Sequence, residues 1–216
     1  MTSTQKILAS IAAGGFAYAY YMGTFRDIQM KDTTLRRQLF VYKDHLGNYK
    51  NKDIFLSQVR DDFKELPPNS YTVASVFYDN PLYIKDKNNE RSVIGVMADV
   101  SQRAAVQQFL MKHPEYHVVE TDSMDTVSTQ FPYRNMVSFR LMRLKGLYNK
   151  LCRFSTEKKD VKSENRFVVE RYPFLTGGEK TVDVMIPYGP NSNQLSLSSL
   201  LTPTKKDKLH HAYFTP

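Results

Sequence analysis

The chain has one cysteine, Cys152, among 216 residues. A lone thiol closes no disulfide within a chain and builds no thiolate zinc site. It sits one residue after Leu151 on a predicted helix, which suits a small buried hydrophobe. Tryptophan is absent, and no Asn-x-Ser/Thr sequon occurs. The histidines, His45, His113, His117, His210 and His211, include no helical His-x-x-x-His pair and no carboxylate cluster at ligand spacing. No Gly-x-Ser-x-Gly elbow, P-loop or dinucleotide-binding glycine pattern is present. With no nucleophile, base and metal set in view, the chain reads as non-enzymatic, without metal or cofactor.

Positive charge is plentiful, at a net +8, but it is scattered among Asp and Glu. No basic helix carries interleaved aromatics, so direct nucleic-acid binding is not expected and an anionic membrane surface is at least as good a partner. Ile7 to Phe25 is free of charge. As a helix rising about 1.5 Å per residue it would span roughly 28 Å, near the hydrocarbon thickness of a bilayer. Tyr18, Tyr20 and Tyr21 cluster at its far end, where amphipathic rings favour an interface. Residues 1–28 are therefore expected to be a membrane anchor. A cleaved signal peptide is the alternative, with Lys6 as its charge and Ala17-Tyr18-Ala19 as its cleavage site. Lys6 precedes the segment, and Arg26, Lys31, Arg36 and Arg37 follow it, which places the body in the cytosol.

The body contains a repeated unit. Val73 to Tyr78 is an apolar strand stopped by Asp79-Asn80-Pro81, and Phe167 to Tyr172 is its echo before Pro173. Each follows an amphipathic helix, Lys52 to Leu66 and Asn135 to Phe154, and each precedes a second strand, Ser92 to Ala98 and Thr181 to Ile186. Leu35 to Lys43 and Asp125 to Phe131 open the two halves, and Asn51 is placed to cap the first helix. Ser101 to Lys112 is a short helix between the halves. Tyr116 to Val119 is a strand with no counterpart in the first half. From Gly189 the chain turns to Ser, Asn, Thr and Lys, so 189–216 reads as a disordered tail.

Glu170 interrupts an otherwise apolar strand and shares a face with Val168 and Tyr172. It faces solvent, pairs with a cation such as Arg166, or lies in a cleft suited to an organic cation.

The β-α-β-β repeat, with Phe77-Tyr-Asp-Asn-Pro81 ending one strand and Val182-Asp-Val-Met-Ile-Pro187 ending the last, resembles the gyrase-inhibitor-like (GyrI-like) effector-binding domain family. The resemblance spans 35–188. It implies an α+β fold of two β-α-β-β units on an antiparallel sheet, with a ligand cleft between them. It also implies cleft roles for Glu170 and Tyr172, in a Glu-x-Tyr stretch, and for Tyr78. The N-terminal segment and the run Val41 to Tyr49 resemble membrane-anchored animal members that act as ER-phagy receptors. Such receptors bind ubiquitin-like autophagosome proteins through an aromatic-x-x-aliphatic motif that adds a strand to the partner's sheet. Tyr213-Phe-Thr-Pro216 lacks the aliphatic residue, while Phe25 to Ile28 and Tyr172 to Leu175 fit the pattern. The expectation is a single-pass protein of the endoplasmic reticulum or nuclear envelope that recruits cytosolic partners. A module binding lipophilic cations at Glu170 is the second reading.

Overall fold

Among the described residues eight strands carry the body, and alternation sends their side chains to two faces, each with its own buried cluster. The structure, a computed structural model, describes residues 2–25, 27–67, 69–79, 84–133, 138, 141–142, 144–159, 167–178, 180–196 and 200. The order is α1 (Ser3–Tyr21), β1 (Lys31–Leu35), β2 (Gln38–Leu46), α2 (Lys52–Asp62), β3 (Tyr71–Phe77), β4 (Arg91–Ala98), α3 (Arg103–Lys112), β5 (His117–Thr121), β6 (Met124–Pro132), α4 (Leu147–Lys159), β7 (Val168–Tyr172) and β8 (Thr181–Tyr188). All pairings are antiparallel, in the spatial order β1-β6-β8-β7-β3-β4-β2-β5.

That order is symmetric about the β7–β3 pair, so the duplicated α+β architecture expected from the repeat is present. The repeating unit is longer than expected. β1 precedes the first β-α-β-β set and β5 precedes the second, so the strand near Tyr116 does have a counterpart. β1 escapes a sequence reading because Lys-Asp-Thr-Thr-Leu shows no apolar alternation, and only Leu35 of it is buried.

A single register closes the sheet on itself. Lys31 faces Ser128 and Leu35 faces Met124, while Gln38 faces Thr121 and Tyr42 faces His117. Residues 31–46 and 117–132 are thus two long bent strands, paired on both sides of a crossing at 36–37 and 122–123. There the Arg37 N–H donates to Ser123 Oγ at 3.2 Å. Because β1 and β5 stand at opposite ends of the strand order, the sheet must curl for this ladder to form.

On one face, Leu39, Val41, Val73, Phe77, Ile94, Val96, Val168, Tyr172, Val184 and Ile186 pack under the helices, through Leu56 and Val59 of α2, Phe63 just past its end, Phe109 of α3 and Leu151 of α4. Full burial of such side chains contributes about 1.5–3 kcal/mol each. The other face gathers Leu35, Phe40, Tyr42, Val76, Tyr78, Val93, Val169 and Met185, and the C-terminal Leu195 and Leu200 cover part of it. Asp79, at the end of β3, is fully buried and forms a fork with Arg91 of β4, with Nη2 to Oδ1 at 2.5 Å and Nε to Oδ2 at 3.0 Å.

Three expectations change. No helix among the described residues is both long and apolar enough to cross a membrane. α1 has the length, but its window is diluted by Ala, Gly, Ser and Tyr, and Ile7, Leu8, Ile11 and Phe16 are its only large aliphatic or Phe residues. The anchor assignment is corrected, and with it the single-pass localisation in the endoplasmic reticulum or nuclear envelope. α1 opens with a capping box, Thr2 with Gln5, and buries none of its residues. The long helix expected over 135–154 is interrupted at Gly146, whose φ of +65° leaves the helical region, and α4 then runs on to Lys159 through sequence expected to be loop. In the segment expected to be a disordered tail, Pro190–Leu195 forms a 3₁₀ turn whose Leu195 is buried. Positions 197–199 and 201–216 lie outside the described residues.

Candidate functional site

Three elements converge on Glu170. β7 carries it opposite Ser75 of β3, at the pseudo-symmetric centre of the sheet. Alternation turns it toward the helices, with Val168 and Tyr172. α2 brings Lys52, its first residue, and α4 brings Tyr148. Lys52 Nζ lies 2.8 Å from Glu170 Oε2, in an ion pair whose members are 5% and 1% exposed. Tyr172 Oη donates to the same carboxylate oxygen, and Tyr148 Oη donates to Oε1. A carboxylate out of water needs several donors and a cation to offset its desolvation, and this one has them.

The ammonium is held by more than charge. Lys52 Nζ lies 5.5 Å from the Phe77 ring centroid and 5.6 Å from that of Tyr172. It also donates to Tyr172 Oη at 3.4 Å. Two ring faces and a carboxylate form a cation cage. Burial, and then the Glu170 charge, push the Tyr172 hydroxyl well above its ordinary pKa, so it stays protonated and remains a donor. At the border of the site, Tyr133 reaches Asp53 of α2 at 3.4 Å, and burial followed by the Asp53 charge pushes its pKa up to about 12.

The sequence-predicted residues separate. Glu170 and Tyr172 are together. Tyr78 is on the opposite face, where its hydroxyl donates to Leu195 O at 3.2 Å, and its neighbour Phe77 is the ring that meets Lys52. Arg166, one partner considered for Glu170, lies outside the described residues, and Lys52 takes that role. Sequence reasoning missed Lys52, although a lysine opening a helix against the positive end of the dipole was a signal. It also missed Tyr148, which was assigned to an apolar helix face. Asn51 makes no side-chain cap to α2. Of the strand-addition positions, Phe25 is exposed, Ile28 and Leu175 are partly buried against the core, and Tyr172 is fully buried.

No protein-family model matches the chain. No curated protein matches it either. Solved structures match the chain at low identity. In the complex of EcmrR with DNA, the match covers 85% of this chain and 66% of that one, at 11% identity and a TM-score of 0.49. SAV2435 bound to tetraphenylphosphonium matches over 74% of this chain and 93% of its own, at 11% identity and a TM-score of 0.44. A hydrolase from Listeria innocua matches over 79% and 97%, at 10% identity and a TM-score of 0.38.

Proposed function

We propose that this domain is a non-enzymatic small-molecule binding module that takes lipophilic cations at Glu170. One observation carries the reading: a buried carboxylate, itself held by two tyrosine hydroxyls, and two aromatic rings already hold an ammonium, that of Lys52. A site that solvates one cation with fixed dipoles and ring faces suits another of similar charge. Lys52 then acts as the resident occupant, and a ligand binds by displacing it. SAV2435, whose structure holds tetraphenylphosphonium, supplies the probe. Strand addition at Tyr172 to Leu175 would have to extract a buried ring, whereas Phe25 of the other candidate motif is exposed.

The test is calorimetric titration with tetraphenylphosphonium. Lys52→Met keeps the stem and removes the competing charge, so it should bind the probe more tightly than wild type. Adding Glu170→Gln to that variant should weaken binding about tenfold or more, the scale of a lost charged contact. Failure of both wild type and Lys52→Met to bind the probe, with both folded, would sink the proposal.

A further inference from the structure

Among the described residues, the face of the sheet away from the helices is covered over one half, by Leu195 and Leu200. Leu195 and Leu200 pack over the Tyr42 and Tyr78 region, with the Tyr42 hydroxyl on Leu200 O and the Tyr78 hydroxyl on Leu195 O. The other half, across β7, β8, β6 and β1, holds a cavity of about 490 Å³. That is within the size range of small-molecule sites. Its lining includes Arg171, Asp183, Ser128, Lys31 and Asp27. None of these belongs to the Glu170 site. Arg171 follows Glu170 in β7, so alternation points it to the opposite face.

An exposed polar sheet face would explain most of these residues. It does not explain Arg171, whose Nε is buried with no hydrogen-bond partner among the described residues. An unmatched guanidinium N–H out of water is costly, and the group that suits its planar fork is a carboxylate. The neighbouring charges narrow the ligand further. Asp183, opposite Arg171 in the register, is held by the Gln130 amide at 2.9 Å, and Asp27 adds a second carboxylate against the cations Lys31 and Arg171. Two charges of each sign give a multiply charged anion no net attraction. A molecule carrying one charge of each sign meets a partner for both.

We infer that this cavity is a second binding site, separate from the cation cage, for a small zwitterion of the amino-acid type, with its carboxylate on Arg171 and its ammonium toward Asp183 and Asp27. The full chain is titrated calorimetrically with L-glutamine and L-serine, and at equal concentration with acetate, methylammonium and sulfate. At least one amino acid should bind at one site, about tenfold or more tightly than acetate or methylammonium. Arg171→Met should abolish that binding. Asp183→Asn keeps an acceptor for Gln130 and removes a charge that repels anions, so it should weaken the amino acid without weakening acetate; it is the arm that stands should Arg171→Met not fold. None of the residues of the cation cage lines this cavity, which keeps the result independent of the cation proposal. No binding of either amino acid overturns the inference. So does sulfate or acetate binding as tightly as the amino acids, or an Asp183→Asn variant that binds them undiminished.

Discussion

Lys52 and Glu170 depend on each other. Removing one member of a buried pair leaves an uncompensated charge, typically at a cost of about 3–5 kcal/mol. Lys52→Met should therefore lower the stability measured by urea unfolding by roughly that amount, and Lys52→Met/Glu170→Gln should recover much of it. A double variant as unstable as the sum of the single changes would show the pair to be uncoupled. Tyrosines set the alkaline limit. Burial raises the pKa of Tyr49, Tyr78 and Tyr172 well above the ordinary value. In the unfolded chain each loses its proton near pH ~10, whereas the folded protein retains it. Their contribution is thus fully present below pH ~10 and is lost as pH rises beyond it. Unfolding free energy should fall across that range, and less steeply in Tyr172→Phe, which titrates one group fewer. An equal slope in the two proteins would remove Tyr172 from this account.

Close backbone approach governs the elements. Gly95 of β4 lies opposite Tyr42 of β2, and a Cβ there would sit 1.9 Å from Val41 O. Gly95→Ala must push the two strands apart at a buried pairing, a strain at or above the ~1–3 kcal/mol of ordinary overpacking. A melting temperature equal to wild type would contradict this geometry. α1 presents the converse case. It buries nothing, so deleting residues 1–18 should shift the melting temperature by less than about 2 °C, equivalent to under ~1 kcal/mol for a chain of this size. A larger fall would mean that the helix packs on the body. Strands β3, β4, β7 and β8 were legible because β-branched and aromatic runs end at Asp-Asn-Pro, at Asp99, at Pro173 and at Ile-Pro. α4 was displaced because helical periodicity carries through Gly146, whose positive φ breaks the chain there.

At the scale of the molecule, the curled sheet has two interiors, and the second is covered in part by residues that composition alone assigns to a tail. Leu195 is fully buried against Tyr78 and its neighbours on that face. Leu195→Ala should cost about 2–5 kcal/mol in chemical unfolding, the range for a leucine deleted from a packed core. A cost near zero would mean that the C-terminal turn merely rests on the sheet.

The sequence by itself determined the class: a duplicated α+β unit, its four inner strands, the two helices that follow Asn51 and precede Phe167, and an unusual carboxylate at Glu170. These follow from local periodicity and punctuation, which need no partner to be read. Tertiary structure alone decided what Glu170 meets, because Lys52 lies 118 positions away and pairs with it only once β7 and β3 are in register. It also decided that Phe77 rather than Tyr78 faces the site, since alternation orders a strand's side chains without saying which set faces the helices. The curl of the sheet came from a ladder between 31–42 and 117–128, and β1, polar and nearly all exposed, carries no trace of that pairing in its own residues. The segment 7–25 shows the reverse limit. Freedom from charge is visible in a sequence, but crossing a membrane requires sustained apolarity, and alanine, glycine and tyrosine do not supply enough of it.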